Sequence, residues 1–330
     1  MPRLIRIYIL LICSTPAFAQ QDSIITASSL QQVVEVLAAD SFMGRFTGSQ
    51  HAIYAAQYIA NEFKKAGAMP VAGNDGSYFM PFYEKGIAVN VVAALPGKSK
   101  AKEIVLFSAH YDHVGTSSSE MPWRMQERGD PEPGDTIYNG ANDNASGVSG
   151  LIHLARYYAQ FPNRERTLVF IAFSGEELGL LGSAALSKSF DPNVVQAMVN
   201  MDMIGRPISS QTTNPYLTGT EYSDLRAIMN ERLYQRAPEF GKNFFKIDRF
   251  PGDNLFKRSD NYWFAMQGIA AHTILLSSPH DKFYHSLNDE PDELDYELMK
   301  AVVKGIAIGC EGIIDGTVTP LRTNINPKGR

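Results

Sequence analysis

The chain has 330 residues, 44% of them hydrophobic and 20% charged, with 18 Phe, 15 Tyr and 2 Trp to fill a core. That balance excludes disordered, collagenous and coiled-coil chains, and with no segment recurring at a fixed period it excludes repeat architectures too. A formal charge of −5 argues against a nucleic-acid-binding surface.

In chain order, Met1 to Ala19 comes first. Basic Arg3 and Arg6 precede the apolar run Ile7 to Cys13, and Ala17-Phe18-Ala19 supplies small residues before Gln20. This is the layout of a secretory signal peptide, and its apolar run falls well short of the roughly 20 residues that span a bilayer. A lipid anchor on Cys13 is disfavoured, because Ile12 is bulky where lipoprotein signals want a small residue. The expectation is an exported protein, periplasmic or extracellular, starting near Gln20 and without a membrane span. Cleavage would leave 28 basic against 35 acidic residues, a charge of about −7, with Cys310 as the only thiol and no intramolecular disulfide. Cys310 lies in an apolar helical stretch that predicts a buried, inert thiol.

Residues 29 to 66 read as helix, broken near Met43-Gly44-Arg45, with Ile53, Ala56, Ile59, Ala60 and Phe63 at helical spacing. Gly67 to Pro81 reads as a loop. Strand-like runs follow at Val89 to Leu95, Ile104 to Ala109, Leu168 to Phe173, Ala197 to Met201 and His272 to Leu276, with helical patterns at Gly147 to Tyr158 and Glu177 to Leu186. The alternation predicts one α/β domain, residues 20–330, a three-layer sandwich around a mostly parallel mixed sheet. A last helix is expected from Pro291 to about Ile314, and His113 to Tyr138 and Ile208 to Tyr216 remain as long irregular stretches.

Chemistry collects where those strands end. Ile104 to Ala109 leads into His110-Tyr111-Asp112, Leu168 to Phe173 into Ser174-Gly175-Glu176-Glu177, Ala197 to Met201 into Asp202, and the strand around Ile274 into a loop with Tyr284-His285. Asp143 lies in the turn-rich Gly140 to Gly147 segment that opens a helix. Ligands in open α/β sheets bind at the carboxyl ends of strands, so two imidazoles and five carboxylates can face one pocket. That set suits divalent metals and above all zinc, since Cys is missing from every segment and carboxylates packed without cations repel. In His110-Tyr111-Asp112 the two-residue offset puts Asp112 on the same face as His110, where it could hold the imidazole's far nitrogen. Adjacent Glu176 and Glu177 point in different directions, so one can bind metal while its neighbour faces the water. Singly, each has an ordinary reading as an acidic pair at a helix start, a cap or a turn residue; order and strand-end context together make them specific.

With these motifs the sequence resembles metallopeptidase family twenty-eight, the double-zinc aminopeptidases whose relatives include glutamate carboxypeptidases, glutaminyl cyclases and the transferrin receptor. The segments that carry the resemblance are Ser108 to Asp112, Asn139 to Gly147, Phe173 to Glu177, Asn200 to Gly205 and Tyr284 to Ser286. The resemblance implies an exopeptidase that hydrolyses N-terminal peptide bonds with two Zn²⁺ per chain, through a metal-bridged hydroxide. His110 and Asp202 would hold one ion, Glu177 and His285 the other, with Asp143 bridging. Glu176 would be the general base, Asp112 the partner of His110, and Tyr284 a stabiliser of the oxyanion. Two departures stand out: Asn261 follows Ser259-Asp260 where relatives often have His, and the path from Phe82 to Ile104 is too short for an inserted protease-associated domain. His51, His113, His153, His272 and His280 fall outside the matched positions, with packing or surface roles expected for His153 and His272, and His113 and His280 placed at the site entrance. The alternatives are a carboxypeptidase, a glutaminyl cyclase, which tends to carry Trp before the last His where this chain has Tyr284, and a non-catalytic binding homologue, whose ligands would be eroded.

Overall fold

The longest apolar runs of the sequence lie side by side at the centre of one nine-stranded sheet. A computed structural model describes residues 23–71, 75–82, 88–119, 134–278 and 280–325; the expected signal peptide, with Cys13, lies outside them. The strands are β1 (Met69–Pro70), β2 (Phe79–Pro81), β3 (Val89–Leu95), β4 (Lys100–His110), β5 (Arg166–Phe173), β6 (Val195–Met201), β7 (Tyr216–Leu217), β8 (Lys246–Ile247) and β9 (Ala271–Leu275). They run in the order β1-β3-β5-β4-β6-β9-β7-β8, with β2 also on β3. The central set β5, β4, β6 and β9 pairs in parallel. Antiparallel pairs join β3 to β5 and β7 to β9, so the sheet is mixed with a parallel centre.

Side-chain alternation divides this sheet between two apolar layers. Val105, Phe107 and Ala109 of β4, with Leu168, Phe170 and Ala172 of β5, belong to the larger layer. It is filled by α1 (Ala27–Leu37), α2 (Gln50–Lys65), α3 (Gly147–Ala159), α5 (Leu225–Arg236), α7 (Tyr296–Gly309) and α8 (Glu311–Ile314). Leu106, Val169, Ile171 and Met198 face the smaller layer, which takes Leu186 from α4 (Leu181–Leu186) and Phe264 and Ala265 from α6 (Asn261–Ala265). Side chains cap the helix starts: Thr26 accepts from Ser29 N at 3.1 Å, Ser49 from Ala52 N at 3.0 Å and Asp295 from Leu298 N at 2.9 Å. Cys310 is fully buried, and burial raises its thiol pKa. Among the described residues no helix is long and apolar enough to cross a membrane.

The structure corrects two helix boundaries. Residues 177–180 form a turn, not the start of a helix, because Gly175, Gly179 and Leu180 all have positive φ and the chain must unwind there before α4 begins. Pro291 opens only the 3₁₀ turn Pro291–Glu293; Leu294 is extended, and α7 starts after the Asp295 cap. Short strands stand at Met69–Pro70 and Phe79–Pro81 within the expected loop, and α5 and α6 carry no periodicity strong enough to announce them. The expected break at 43–45 is present, with Met43, Gly44 and Arg45 all left-handed.

Candidate metal centre

Because β4, β5 and β6 are parallel neighbours, their carboxyl ends lie on one edge of the sheet. His110 is the last residue of β4, Glu176 and Glu177 follow β5 by three and four residues, and Asp202 follows β6 directly. Asp143 comes from the irregular turn Ala141–Ser146 ahead of α3, and His285 from the segment after β9. The structure brings all of these together.

Asp143 stands between two clusters. Its Oδ1 lies 3.3 Å from His110 Nε2, which is 3.4 Å from Asp202 Oδ1. Its Oδ2 lies 3.2 Å from His285 Nε2, which is 3.1 Å from Glu177 Oε1. All five residues are buried.

His113 enters the second cluster, which corrects its expected place at the site entrance. The ring is fully buried, with Nδ1 3.3 Å from Glu177 Oε1 and 3.9 Å from Asp143 Oδ2. Its position in an irregular stretch hid this; the signal in the sequence was a second histidine three residues after His110. His280 is largely exposed and pairs with Asp253. His153 and His272 sit in the interior as packing residues, bonded to Ser149 O and Thr218 O respectively, each at 2.8 Å.

Asp112 holds the neighbouring turn more than it holds His110. Its carboxylate is 3.7 Å from His110 Nδ1, whereas its backbone carbonyl accepts from that nitrogen at 3.2 Å. A carbonyl can only accept, so Nδ1 carries a proton and Nε2 is the nitrogen that faces the cluster, where a cation would take its lone pair. The Asp112 carboxylate instead accepts from Thr47 Oγ1 at 2.7 Å and from Glu176 N and Glu177 N, both at 3.3 Å.

Further supports escaped the sequence reading. Asp289 accepts from the backbone N–H groups of Asn142 and Asp143, and Arg206 bonds Asp289 at 3.0 Å and Asp281 at 2.8 Å. Ser259 donates to Asp202 Oδ2 at 2.8 Å and accepts from Asn200 Nδ2, while Asn200 Oδ1 accepts from the Ser108 hydroxyl. Arg45, fully buried, donates to the carbonyls of Leu37, Tyr111, Asn139 and Gly140.

The electrostatics favour cations. Burial alone would lower the His110 imidazole, but Asp202, Glu176 and its hydrogen-bonding neighbours raise it well above its ordinary value. Burial raises Glu176, and Glu177, Asp202 and Asp260 add to that against His110. Asp260 is pushed up to about 7 by burial. Asp202 Oδ1, both Asp260 oxygens and both His113 nitrogens are buried without a hydrogen-bond partner. Each such orphan costs about 1–3 kcal/mol, and Asp202 and His113 belong to groups whose ligand atoms converge within 4.8 Å, an arrangement that fits positive charge between them. Imidazole nitrogen and carboxylate oxygen are donors that zinc accepts, and the residues present therefore fit two divalent ions.

Beside the first cluster opens a cleft of about 460 Å³, part of it open to solvent. Half-buried Glu176 lines it with His110, Asp143, Asp202 and Tyr284, and Met203, Leu255 and Leu275 form an apolar wall. Tyr284 stacks on His285 with ring centroids 3.9 Å apart, and its hydroxyl lies 3.5 Å from Arg258. Burial, with the nearby carboxylates Glu177 and Asp143, holds its pKa well above the ordinary tyrosine value, so the phenol keeps its proton.

Fold and site together define a mixed α/β protein with a paired histidine–carboxylate centre on the carboxyl edge of its sheet. Residues 90–308 match the sequence profile of Peptidase family M28, and the chain belongs to that family. It is similar to the "Probable zinc metalloprotease" of Pyrenophora tritici-repentis, 34% identical over 184 residues that cover 53% of this chain and 38% of that protein. It is similar also to the "Probable leucine aminopeptidase" of Trichophyton verrucosum, 30% identical over 197 residues covering 58% and 46%. The chain thus spans less than half the length of either relative. Among solved structures, the LapA aminopeptidase of Legionella pneumophila superposes with a TM-score of 0.71 at 17% identity, covering 94% of this chain and 78% of that one, which shows a shared fold.

Proposed function

We propose that the chain is an exported aminopeptidase that hydrolyses N-terminal peptide bonds and works with two zinc ions. The observation that carries this reading is the sharing of Asp143 between two clusters next to a half-buried Glu176 in a cleft. Membership of a peptidase family and the names of its relatives supply the substrate class and the metal. His110 and Asp202 would hold one ion, Glu177 and His285 the other, with Asp143 between them. Bound there, zinc would supply a Lewis acid for the scissile carbonyl and water of lowered pKa.

The rest is the work of the chain's own groups. The Glu176 carboxylate takes a proton from the attacking water and returns it to the leaving nitrogen. Tyr284 Oη, which keeps its own proton, donates to the carbonyl oxygen as negative charge grows on it. Asp112 positions Glu176 and Glu177 through their backbone N–H groups. The wall of Met203, Leu255 and Leu275 receives an apolar side chain. The signal-peptide layout of Met1 to Ala19 supports export.

Metal analysis of the purified protein, joined to a panel of aminoacyl and N-blocked peptides with and without chelator, tests the reading. Two zincs per chain and chelator-sensitive cleavage of free amino termini alone are expected. Cleavage of N-blocked peptides from the carboxyl end, or cyclisation of Gln peptides, overturns it.

A further inference from the structure

We propose that His113 is a fourth protein ligand of the second ion, binding through Nδ1; the proposal rests on the two-ion reading above. The imidazole is wholly buried, yet neither nitrogen has a hydrogen-bond partner. A neutral imidazole needs both an acceptor and a donor, and leaving both unmet costs on the order of 1–3 kcal/mol per group. The ring is nevertheless held firmly in place. It rests on Gly140, where an added Cβ would lie 2.5 Å from the His113 Cγ, and it meets the edge of His285 with centroids 5.6 Å apart. Its backbone is fixed by a bond from His113 N to Arg45 O and by bridge pairing with Phe46.

Distances decide what Nδ1 faces. Four zinc bonds of about 2.0–2.1 Å in a tetrahedron set donor atoms about 3.3 Å apart. In the second cluster His285 Nε2 lies 3.1 Å from Glu177 Oε1 and 3.2 Å from Asp143 Oδ2. His113 Nδ1 lies 3.3 Å and 3.9 Å from the same two oxygens. Three of these four contacts fall near the tetrahedral edge length and the fourth is longer, and one ligand atom each from His113, Asp143 and Glu177 converges within 4.8 Å. A hydrogen bond from His113 to Glu177 across the same 3.3 Å is the competing role, and only the ligand role places residue 113 on the metal.

The two positions then differ in kind. The first has three protein donors, His110, Asp143 and Asp202, all of which line the cleft. The second has four, and His113, Glu177 and His285 do not line it. A closed four-ligand site retains metal, whereas a three-ligand site keeps a position for water or substrate. The second ion is therefore the slowly exchanging one and the first is the exchangeable one.

The test is zinc retention under graded chelator, followed by metal analysis, on wild type, His113→Ala and His113→Cys, with unfolding of the apo forms monitored in parallel. Wild type should lose zinc in two steps, and zinc X-ray absorption of the one-zinc form should fit two imidazoles. His113→Ala should lose the retained zinc at about 100-fold lower chelator strength or less, with one imidazole remaining. His113→Cys, loaded with Co²⁺, should show a thiolate-to-cobalt charge-transfer band, which a purely structural role would not produce. Two zincs in wild type with unchanged retention and imidazole count in His113→Ala, and no thiolate band in His113→Cys, overturn the inference alone. Failure of wild type to bind two zincs overturns the two-ion reading and this inference with it.

Discussion

The carboxylate of Asp289 accepts the backbone N–H of Asp143 at 2.9 Å, so an acid from the segment after β9 holds the residue that stands between the two clusters. Its other oxygen is bonded to Arg206, itself nearly buried. Asp289→Ala should loosen the Asp143 turn and remove one of the two carboxylates that the guanidinium pairs with. We expect zinc retention to fall about 10–100-fold, with a loss of stability of about 3–5 kcal/mol from the broken buried pair. Asp289→Asn, which keeps an acceptor for Asp143 N, should fall between the two. Chelator titration and urea unfolding measure both; wild-type retention in Asp289→Ala would contradict the assignment.

Glu176→Gln separates proton transfer from metal holding. The amide can still fill the cleft wall but cannot take a proton. Zinc content should stay at the wild-type value while kcat falls about 10²–10⁴-fold. Turnover within a few-fold of wild type, measured with an aminoacyl substrate, would remove Glu176 from the mechanism.

Tyr284→Phe removes one donor and leaves the ring that stacks on His285. The loss should appear in kcat, by about 10²–10³-fold, with KM little changed, because the bond strengthens as charge develops on the substrate oxygen. A rise in KM with kcat intact would instead make Tyr284 a ground-state binding residue.

His153 and His272 set a pH dependence remote from the clusters. Burial lowers each to about 4, while Ser149 O and Thr218 O partly offset it. Their unfolded values lie near 6.5, so the folded state binds fewer protons between these limits. Their contribution to stability is fully present above about pH 6.5 and is lost as pH falls toward 4, on the order of 3 kcal/mol for each. Urea unfolding at pH 7.5 and pH 5 should show a shallower decline in His153→Gln and His272→Gln than in wild type. Parallel declines in all three proteins would show that neither histidine is linked to folding.

Much of the site could be read from the sequence because most of its residues come at or after the carboxyl ends of four apolar runs, those of β4, β5, β6 and β9. These four runs become the parallel centre of the sheet, and parallel pairing aligns their ends without any side chain having to specify it. What stayed hidden depends on contacts between distant segments. Asp289 and Arg206 look like ordinary surface charges until the sheet folds the 281–289 segment against the Asp143 turn. His113 sits in a stretch without periodicity, and its neighbours Gly140 and His285 come from elsewhere in the chain. The misread start of α4 has a local cause, since helical spacing cannot show that Leu180 is left-handed. The short strands β7 and β8, two residues each, are too brief to leave a pattern.

Arg45 clasps the back of the site through four acceptors, all of them main-chain oxygens from Leu37, Tyr111, Asn139 and Gly140. Such a clasp does not depend on which side chains occupy positions 37, 111 and 139, so those positions can drift in evolution without loosening it. The whole constraint falls on one guanidinium, and replacing it strands four buried carbonyls in three segments at once.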